Sequence, residues 1–481
     1  MAAGLPVRVR LAPSPTGTLH IGTARTAVFN WLFARHMGGA FLLRIEDTDR
    51  ERSRDAFTQD ILDGLRWLGL RWDEEPVVQS ERIDAHRAVI RQLLASGHAY
   101  RCYASDEELA AMRERQQAEG RAPRYDNLHR DLSPAQEQAY IAEGREAVIR
   151  FRIDDDATIT WTDMVRGEMR WAGSDLGGDM VIARRAPAGA IGDPLYNLVV
   201  VVDDAAMAIS HVIRGEDHIA NTAKQLLLYQ ALGLTPPQFA HTPLILNQEG
   251  RKLSKRDGVT SVGEFRAMGY TAEALVNYMT LLGWSPPEGL GERFTLEQAA
   301  AVFSFDRVNR AGARFDWDKL NWLNAQVLHG LAAGELRQRL LPLWQARGWA
   351  GEGAAADAGW QEDLCSLLGP SLTVLEDGVE QAVPFFETPE PDDGALAQRS
   401  DAGSQAALTA LLARLPKGDL DATAAQELLA EAAAAAGVKK GVVMKGLRAA
   451  LLGSLKGPDL LATWLLLHRT GADRERIVAA L

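Results

Sequence analysis

A chain of 481 residues, 47% hydrophobic and 24% charged, has room for several domains with sizeable cores, and this composition excludes a disordered or membrane-embedded protein. No apolar run approaches the ~20 residues of a membrane span, only nine residues precede Arg10, too few for a signal or transit peptide, and Cys102 and Cys365 lie too far apart for a disulfide framework, so a reducing cytoplasm is expected. The net charge of -12 means that any nucleic-acid partner must be met by a confined basic face, not by the whole surface.

The first element is an alternating segment, Val7-Arg8-Val9-Arg10-Leu11-Ala12, which predicts a strand running into the turn Pro13-Ser14-Pro15-Thr16-Gly17. A helical pattern starts near His20 and continues through Ala27, Val28, Phe29, Trp31 and Leu32. Little side-chain bulk at such a helix mouth lets backbone N–H groups approach phosphate oxygens, and His20 can donate to charge developing there. Alone, the segment also reads as a turn that happens to hold a histidine, the lesser of the two readings. Residues 41–45 predict a buried strand, and residues 56–68 an amphipathic helix carrying Phe57, Ile61, Leu65 and Leu68.

From about residue 101 to 194 the texture changes to charged helices and short β-rich pieces, such as residues 148–153. Arg113, Arg115, Arg121, Arg124, His129 and Arg130 crowd this stretch, either as a basic face or as a solvated helix surface. Strand–helix alternation resumes with the runs at 198–202 and 209–213 and with a helix around 223–232. A doubly wound sheet interrupted by an insertion explains this order. Ligands in such sheets sit at the carboxyl ends of strands, where Ser14, Glu46 and Arg214 fall.

An apolar run, Pro243-Leu244-Ile245-Leu246, leads into the basic loop Arg251-Lys252-Leu253-Ser254-Lys255-Arg256-Asp257-Gly258. By itself such a loop is a solvated turn. Together with the early motif, its two lysines reach the phosphates of a nucleotide whose other face is held by His20. Helices follow over residues 275–282 and throughout the alanine-rich region beyond Leu323, with connections at 351–358 and 389–393 and a second arginine cluster at Arg307, Arg310 and Arg314.

His20-Ile21-Gly22-Thr23 and Lys252-Leu253-Ser254-Lys255-Arg256 resemble the HIGH and KMSKS signatures of the class I aminoacyl-tRNA synthetases. Arg10 to Gly17 as quoted, Arg44-Ile45-Glu46-Asp47-Thr48-Asp49, Tyr196-Asn197 ahead of Val202-Asp203-Asp204, and Val212-Ile213-Arg214-Gly215-Glu216-Asp217 resemble the glutamyl/glutaminyl subclass, bacterial glutamyl type. The resemblance implies an α/β fold. A class I Rossmann-like catalytic domain (residues 1–100 and 195–245) holds an inserted α+β acceptor-end-binding domain (101–194). A stem-contact domain with the basic loop (246–324) and an all-α anticodon-binding region (325–481) follow. It implies a monomeric ligase that activates L-glutamate with ATP and Mg²⁺, needing bound tRNA for that step, and transfers glutamate to tRNA(Glu). Glutaminyl enzymes carry β-barrel anticodon modules, which the helical tail opposes. A catalytically dead tRNA binder is opposed by the intact His20, Lys252, Lys255, Arg10 and Arg214.

By the same resemblance His20, Lys252 and Lys255 are the catalytic donors, with Thr16, Gly17, Gly22, Thr23 and Ser254 completing the ATP site. Thr23 stands where the family pattern has a second histidine, and a threonine carries no positive charge. For glutamate, Arg10 and Arg214 each suit one carboxylate, Glu46 with Ser14 the ammonium, and Ala12 and Tyr196 the lining. The alternative is that these arginines pair with Asp47, Glu216 or Asp217 as structural salt bridges. Asp47 and Asp49 themselves read as structural. Cys102, Tyr125 and His129 fall short of the closed tetrahedral set of a zinc site, so no structural metal is expected. The lone histidines His86, His98, His211 and His468 read as packing or surface residues. The segment corresponding to an anticodon-reading position, residues 367–372, holds Gly369 and no arginine, which leaves tRNA(Gln) open as a second acceptor unless Arg347 or Arg399 supplies the contact.

Overall fold

The alternating segment forms β1 (Arg8–Leu11), and the helical pattern after the turn forms α1 (Ile21–His36). Next come β2 (Ala40–Ile45), α2 (Asp55–Trp67) and the short β3 (Val77–Val78), all close to the predicted bounds where the sequence offered a pattern. β1 pairs in parallel with β2, with Val9 opposite Phe41, and β2 with β3. The computed structural model describes residues 6–481. They divide into two units, one of residues up to 265 with 275–316 and one of 266–274 with 317–481.

In the first unit α3 (Ile83–Ala95) leads into β4 (Ala99–Cys102), α4 (Asp106–Ala118), α5 (Pro134–Ala142) and β5 (Ala147–Phe151). β6 (Thr158–Asp163), β7 (Gly167–Ala172) and β8 (Met180–Ala186) follow. β4, β5 and β8 make a separate antiparallel sheet. The β6–β7 hairpin instead extends the parallel sheet, because β6 pairs with β10 (Gln238–Thr242) and β10 with β9 (His211–Gly215). β9 runs beside β1, joined through the Ser210 N–H to the Arg8 carbonyl at 2.9 Å. The sheets β3-β2-β1 and β9-β10-β6-β7 abut at β1 and β9 and leave a crevice at the carboxyl ends of these two strands.

The run at 198–202 is helical: it lies inside α6 (Tyr196–Ala206), followed by α7 (Ile219–Ala231). Residues 198–204 are all buried, so the helix has no polar stripe and no period to betray it. β11 (Ile245–Leu246) precedes the basic loop and pairs with β12 (Ala313–Arg314).

The second unit is helical. Its core holds Trp344, Trp360 and Trp464, each fully buried with its indole N–H satisfied, by the carbonyls of Gly378 and Leu466 and by Asp473 respectively. The alanine-rich helix Ala422–Ala436 starts where Asp421 accepts from the Ala424 N–H at 2.8 Å and stops at Gly437, whose φ of 64° suits glycine.

Candidate active site

The crevice is a cleft of about 480 Å³. It brings together Arg10 of β1, Ala12 and Ser14 after it, Glu46 after β2, Tyr196 at the start of α6 and Arg214 near the end of β9. His20, Gly22 and Thr23 line it from the mouth of α1, and Lys252 from the basic loop. Thr16, Gly17 and Ser254 are not among its lining residues. Lys255 opens the turn Lys255–Asp257, and its side chain lies outside the described residues.

At the mouth of α1 the His20 ring caps the helix, Nδ1 accepting from the Gly22 N–H at 3.0 Å. That places the proton of the neutral ring on Nε2. A side chain at position 22 would meet His20 Nδ1 at 3.2 Å, so glycine lets the ring fold over the first turn. Two hydrogen bonds tie this mouth to the segment leaving the basic loop, Ile21 N–H to the Thr260 carbonyl at 2.8 Å and Val262 N–H to the Leu19 carbonyl at 2.9 Å. The two signatures, distant in sequence, are therefore held side by side. Within the loop, Ser254 donates from backbone and hydroxyl to the Asp257 carboxylate, each at 2.8 Å, so its hydroxyl is engaged within its own turn. Lys252 Nζ rests on Asp217 at 2.7 Å.

The other end of the cleft is built of buried charge. Arg10 Nε and Nη2 bind Asp204 at 2.9 and 3.1 Å, and Arg44 Nη1 binds the same carboxylate at 2.5 Å. These two arginines hold the Asp204 carboxyl down at about 2 against the opposing effect of burial. Arg44 also donates to Glu46 Oε1 at 3.0 Å; burial nevertheless raises Glu46. Neither Arg10 Nη1 nor Glu46 Oε2 has a hydrogen-bond partner among the described residues, which suits one to a carboxylate and the other to an ammonium.

Arg214 differs from both. It is 5% exposed and pairs with no carboxylate among the described residues. Its Nη2 donates to Thr222 and Gln225 at 2.7 and 2.8 Å, and its buried Nη1 has no partner among the described residues. A buried guanidinium nitrogen without an acceptor is costly unless a ligand supplies one. Beside it the Tyr196 hydroxyl lies 3.1 Å from Nδ1 of His218, whose pKa burial and the arginine charges depress to about 4. A neutral imidazole therefore lines the cleft.

The salt-bridge alternatives resolve differently from either expectation. Asp47 accepts from the Ser80 N–H and hydroxyl, Glu216 pairs with Arg166, and Asp217 holds Lys252. Asp49 pairs with Arg52. Arg10 does have a carboxylate partner, but it is Asp204. His218 and the buried Arg25, whose guanidinium donates to the carbonyls of Leu282 and Pro243, line the cleft, and Asp204 and Arg44 support it from behind through Arg10 and Glu46; sequence reasoning assigned none of the four to the site. The usable signal was two adjacent acids ending an apolar run, Val201-Val202-Asp203-Asp204, since buried carboxylates demand partners.

Elsewhere the basic stretch is largely neutralised, with Arg124 on Asp155 and Arg130 on Asp179. Cys102 lies 3.2 Å from the Tyr125 hydroxyl and 3.9 Å from His129 Nδ1, and no group of three His, Cys, Asp or Glu placed to hold a metal occurs among the described residues. His86 sits on Asp203, and His468 on Asp473. No helix among the described residues is long and apolar enough to cross a membrane. In the second unit Gly369 is buried, a Cβ there meeting Leu336 at 3.1 Å. Arg399 is spent on the Ala449 and Ala450 carbonyls, whereas Arg347 is exposed.

Comparison with known proteins agrees with this geometry. The profile described as "tRNA synthetases class I (E and Q), catalytic domain" matches residues 6–322, and that of an "Anticodon binding domain" matches residues 335–481. A glutamate–tRNA ligase of Synechococcus sp. (strain CC9311) is 72% identical over 474 residues, 98% of this chain and 99% of the relative. One from Prochlorococcus marinus (strain MIT 9313) is 69% identical over 474 residues, with the same coverage. The crystal structure of a glutamate tRNA ligase from Elizabethkingia meningosepticum, in complex with its amino acid, is similar at a TM-score of 0.88 and 32% identity, covering 99% of each chain.

Proposed function

This chain belongs to the class I tRNA synthetases of the E and Q type, and from that membership we propose a role for each side chain of its cleft. The activity is that of a glutamate–tRNA ligase, acting on L-glutamate, ATP with Mg²⁺ and tRNA(Glu). The glutamate α-carboxylate attacks the α-phosphorus of ATP, forming glutamyl-adenylate and releasing pyrophosphate. A ribose hydroxyl at the tRNA 3′ end then takes the acyl group and AMP leaves.

The observation that carries the site assignment is the buried Nη1 of Arg214, a donor with no acceptor among the described residues, in a guanidinium that pairs with no carboxylate among them. Arg214 takes one glutamate carboxylate, Arg10 Nη1 the other, and Glu46 Oε2 with Ser14 the ammonium. Ala12 and Tyr196 line the side-chain end. His20 Nε2, Lys252 and Lys255 stabilise charge on the phosphates, with Thr23 and the Gly22 backbone at the helix mouth and Thr16, Gly17 and Ser254 shaping the turns around them. The division into catalytic (1–100 and 195–245), acceptor-end (101–194), stem-contact (246–324) and anticodon-binding (325–481) parts belongs to the same reading, as does a cytoplasmic monomer. ATP–pyrophosphate exchange with glutamate, run with and without tRNA, tests it: exchange is expected with tRNA present, and exchange supported by glutamine but not glutamate overturns it.

Arg10→Lys tests the recognition arm. Lysine keeps the charge beside Asp204 but loses the fork, so the KM for glutamate is expected to rise about tenfold, roughly one charge-assisted hydrogen bond. Glutamine stays a poor substrate. An unchanged KM would assign Arg10 to Asp204 alone.

For the tRNA we propose that discrimination between tRNA(Glu) and tRNA(Gln) is weak. Residues 367–372 present no arginine, Gly369 is buried, and the Ser371 hydroxyl is engaged by Leu368 and Gln381. One bidentate base contact is worth ~1–3 kcal/mol, so without it the two tRNAs should be charged within about tenfold of each other. Side-by-side charging with glutamate decides, and a hundredfold preference for tRNA(Glu) assigns the reading to another side chain, Arg347 first.

A further inference from the structure

Behind Arg214 lies a second layer that does not line the cleft. The carboxylate of Asp163, 2% exposed at the end of β6, accepts at Oδ1 from the backbone N–H groups of Val165 and Arg166 at 3.0 and 2.9 Å. Its Oδ2 lies 2.5 Å from Nδ1 of His241, a fully buried residue of β10. A carboxylate so surrounded by donors is ionised and can only accept, so Nδ1 of His241 carries a proton. At the far side of the ring, Nε2 lies 3.3 Å from Arg214 Nε and 3.0 Å from the Thr222 hydroxyl. An arginine Nε–H can only donate, so Nε2 must be the unprotonated acceptor. Both ends of the imidazole demand the same neutral tautomer.

We propose that His241, with Asp163 behind it, is a positioning residue for glutamate recognition: it aims the Arg214 fork into the cleft through a neutral acceptor and so keeps the guanidinium charge for the substrate carboxylate. The contrast with Arg10 and Arg44 shows what the intervening ring accomplishes. Those two arginines are bound directly to Asp204 and their charge is largely answered within the protein. A carboxylate placed directly on Arg214 would orient it equally well but would compete with the substrate for it. Setting the acid one residue back, behind an imidazole locked in one tautomer, orients without neutralising. Neutral Thr222 and Gln225 on Nη2 complete the same design.

The inference rests on Arg214 facing a glutamate carboxylate, and the variants separate the two claims. In the full-length protein with tRNA present, ATP–pyrophosphate exchange is measured for Arg214→Ala, His241→Leu and His241→Gln, with a thermal melt of each. Arg214→Ala is expected to raise the glutamate KM at least a hundredfold; a KM unchanged there overturns the parent reading. His241→Leu is expected to raise the glutamate KM at least tenfold, with the ATP KM within twofold and kcat within threefold of wild type. His241→Gln, which restores an acceptor to Arg214, is expected to stay within threefold throughout. With Arg214→Ala impaired, a His241→Leu KM within twofold of wild type overturns the positioning role. So does a loss shared equally between the glutamate and ATP constants, which marks general structural damage. Should the leucine variant not fold, ¹⁵N NMR of the histidine-labelled wild type decides. A His241 ring protonated at Nδ1, with an aprotic Nε2 whose signal moves when glutamate is added, is expected. An Nε2-protonated or glutamate-insensitive ring overturns the proposal.

Discussion

Asp204→Ala should destabilise the catalytic unit by about 3–5 kcal/mol, the usual loss when one member of a buried ion cluster is removed and its partners stay behind. Asp204 is 1% exposed, and the guanidiniums it holds, on Arg10 and Arg44, are 4% and 0% exposed. Without it two like charges face each other out of water, and only Arg44 retains a partner, Glu46. The sign of the pH dependence follows from the Asp204 carboxyl lying near 2, below the ordinary value of about 3.9. Its stabilisation is fully present above the ordinary value and lost as pH falls through about 2. The gap between wild type and variant, read from urea unfolding, should therefore be largest near neutrality and close on acidification. A neutral-pH difference under 1 kcal/mol would show that water already screens the cluster.

That cluster also shows where sequence reasoning stops. The strand before the Pro/Gly turn, the helix mouth at His20 and the lysine loop were legible because each is written locally, in punctuation residues, in an apolar period or in charge density. The run at 198–202 was not, because a helix buried all round has no period to read. Its misreading carried a chemical consequence. Adjacent residues on a helix are about 100° apart, so Asp203 reaches Arg82 and His86 while Asp204 reaches Arg10 and Arg44. The acids of the motifs themselves, Asp47, Glu216 and Asp217, are the partners for Arg10 that the sequence suggests, and each of these serves another residue. The Asp163–His241–Arg214 chain was invisible for a related reason: three residues from three strands meet only through sheet order, and no spacing in the sequence encodes it.

Lys252→Ala and Lys255→Ala should each slow glutamyl-adenylate formation about 10²- to 10³-fold, while glutamate affinity stays within twofold. One preorganised donor to charge that develops in the transition state is worth ~2.7–4 kcal/mol. Lys252 has its Nζ parked on Asp217, 2.7 Å away, with its side chain 61% exposed. An exposed ion pair of that kind holds a lysine by no more than about 1 kcal/mol. Moving from Asp217 to a phosphate oxygen therefore costs little, and the loop it rides on is anchored to the mouth of α1 through Thr260 and Val262. Lys255 follows Ser254 in the turn that Asp257 closes, five residues before Thr260 of the same anchored segment. Lys252 pairs with Asp217 and not with the arginines proposed for glutamate, so removing a lysine of this loop should separate chemistry from amino-acid binding. Single-turnover adenylate formation, paired with equilibrium glutamate binding, reads both quantities. A lysine variant that forms adenylate at the wild-type rate leaves His20 and the helix mouth as the phosphate donors of this site.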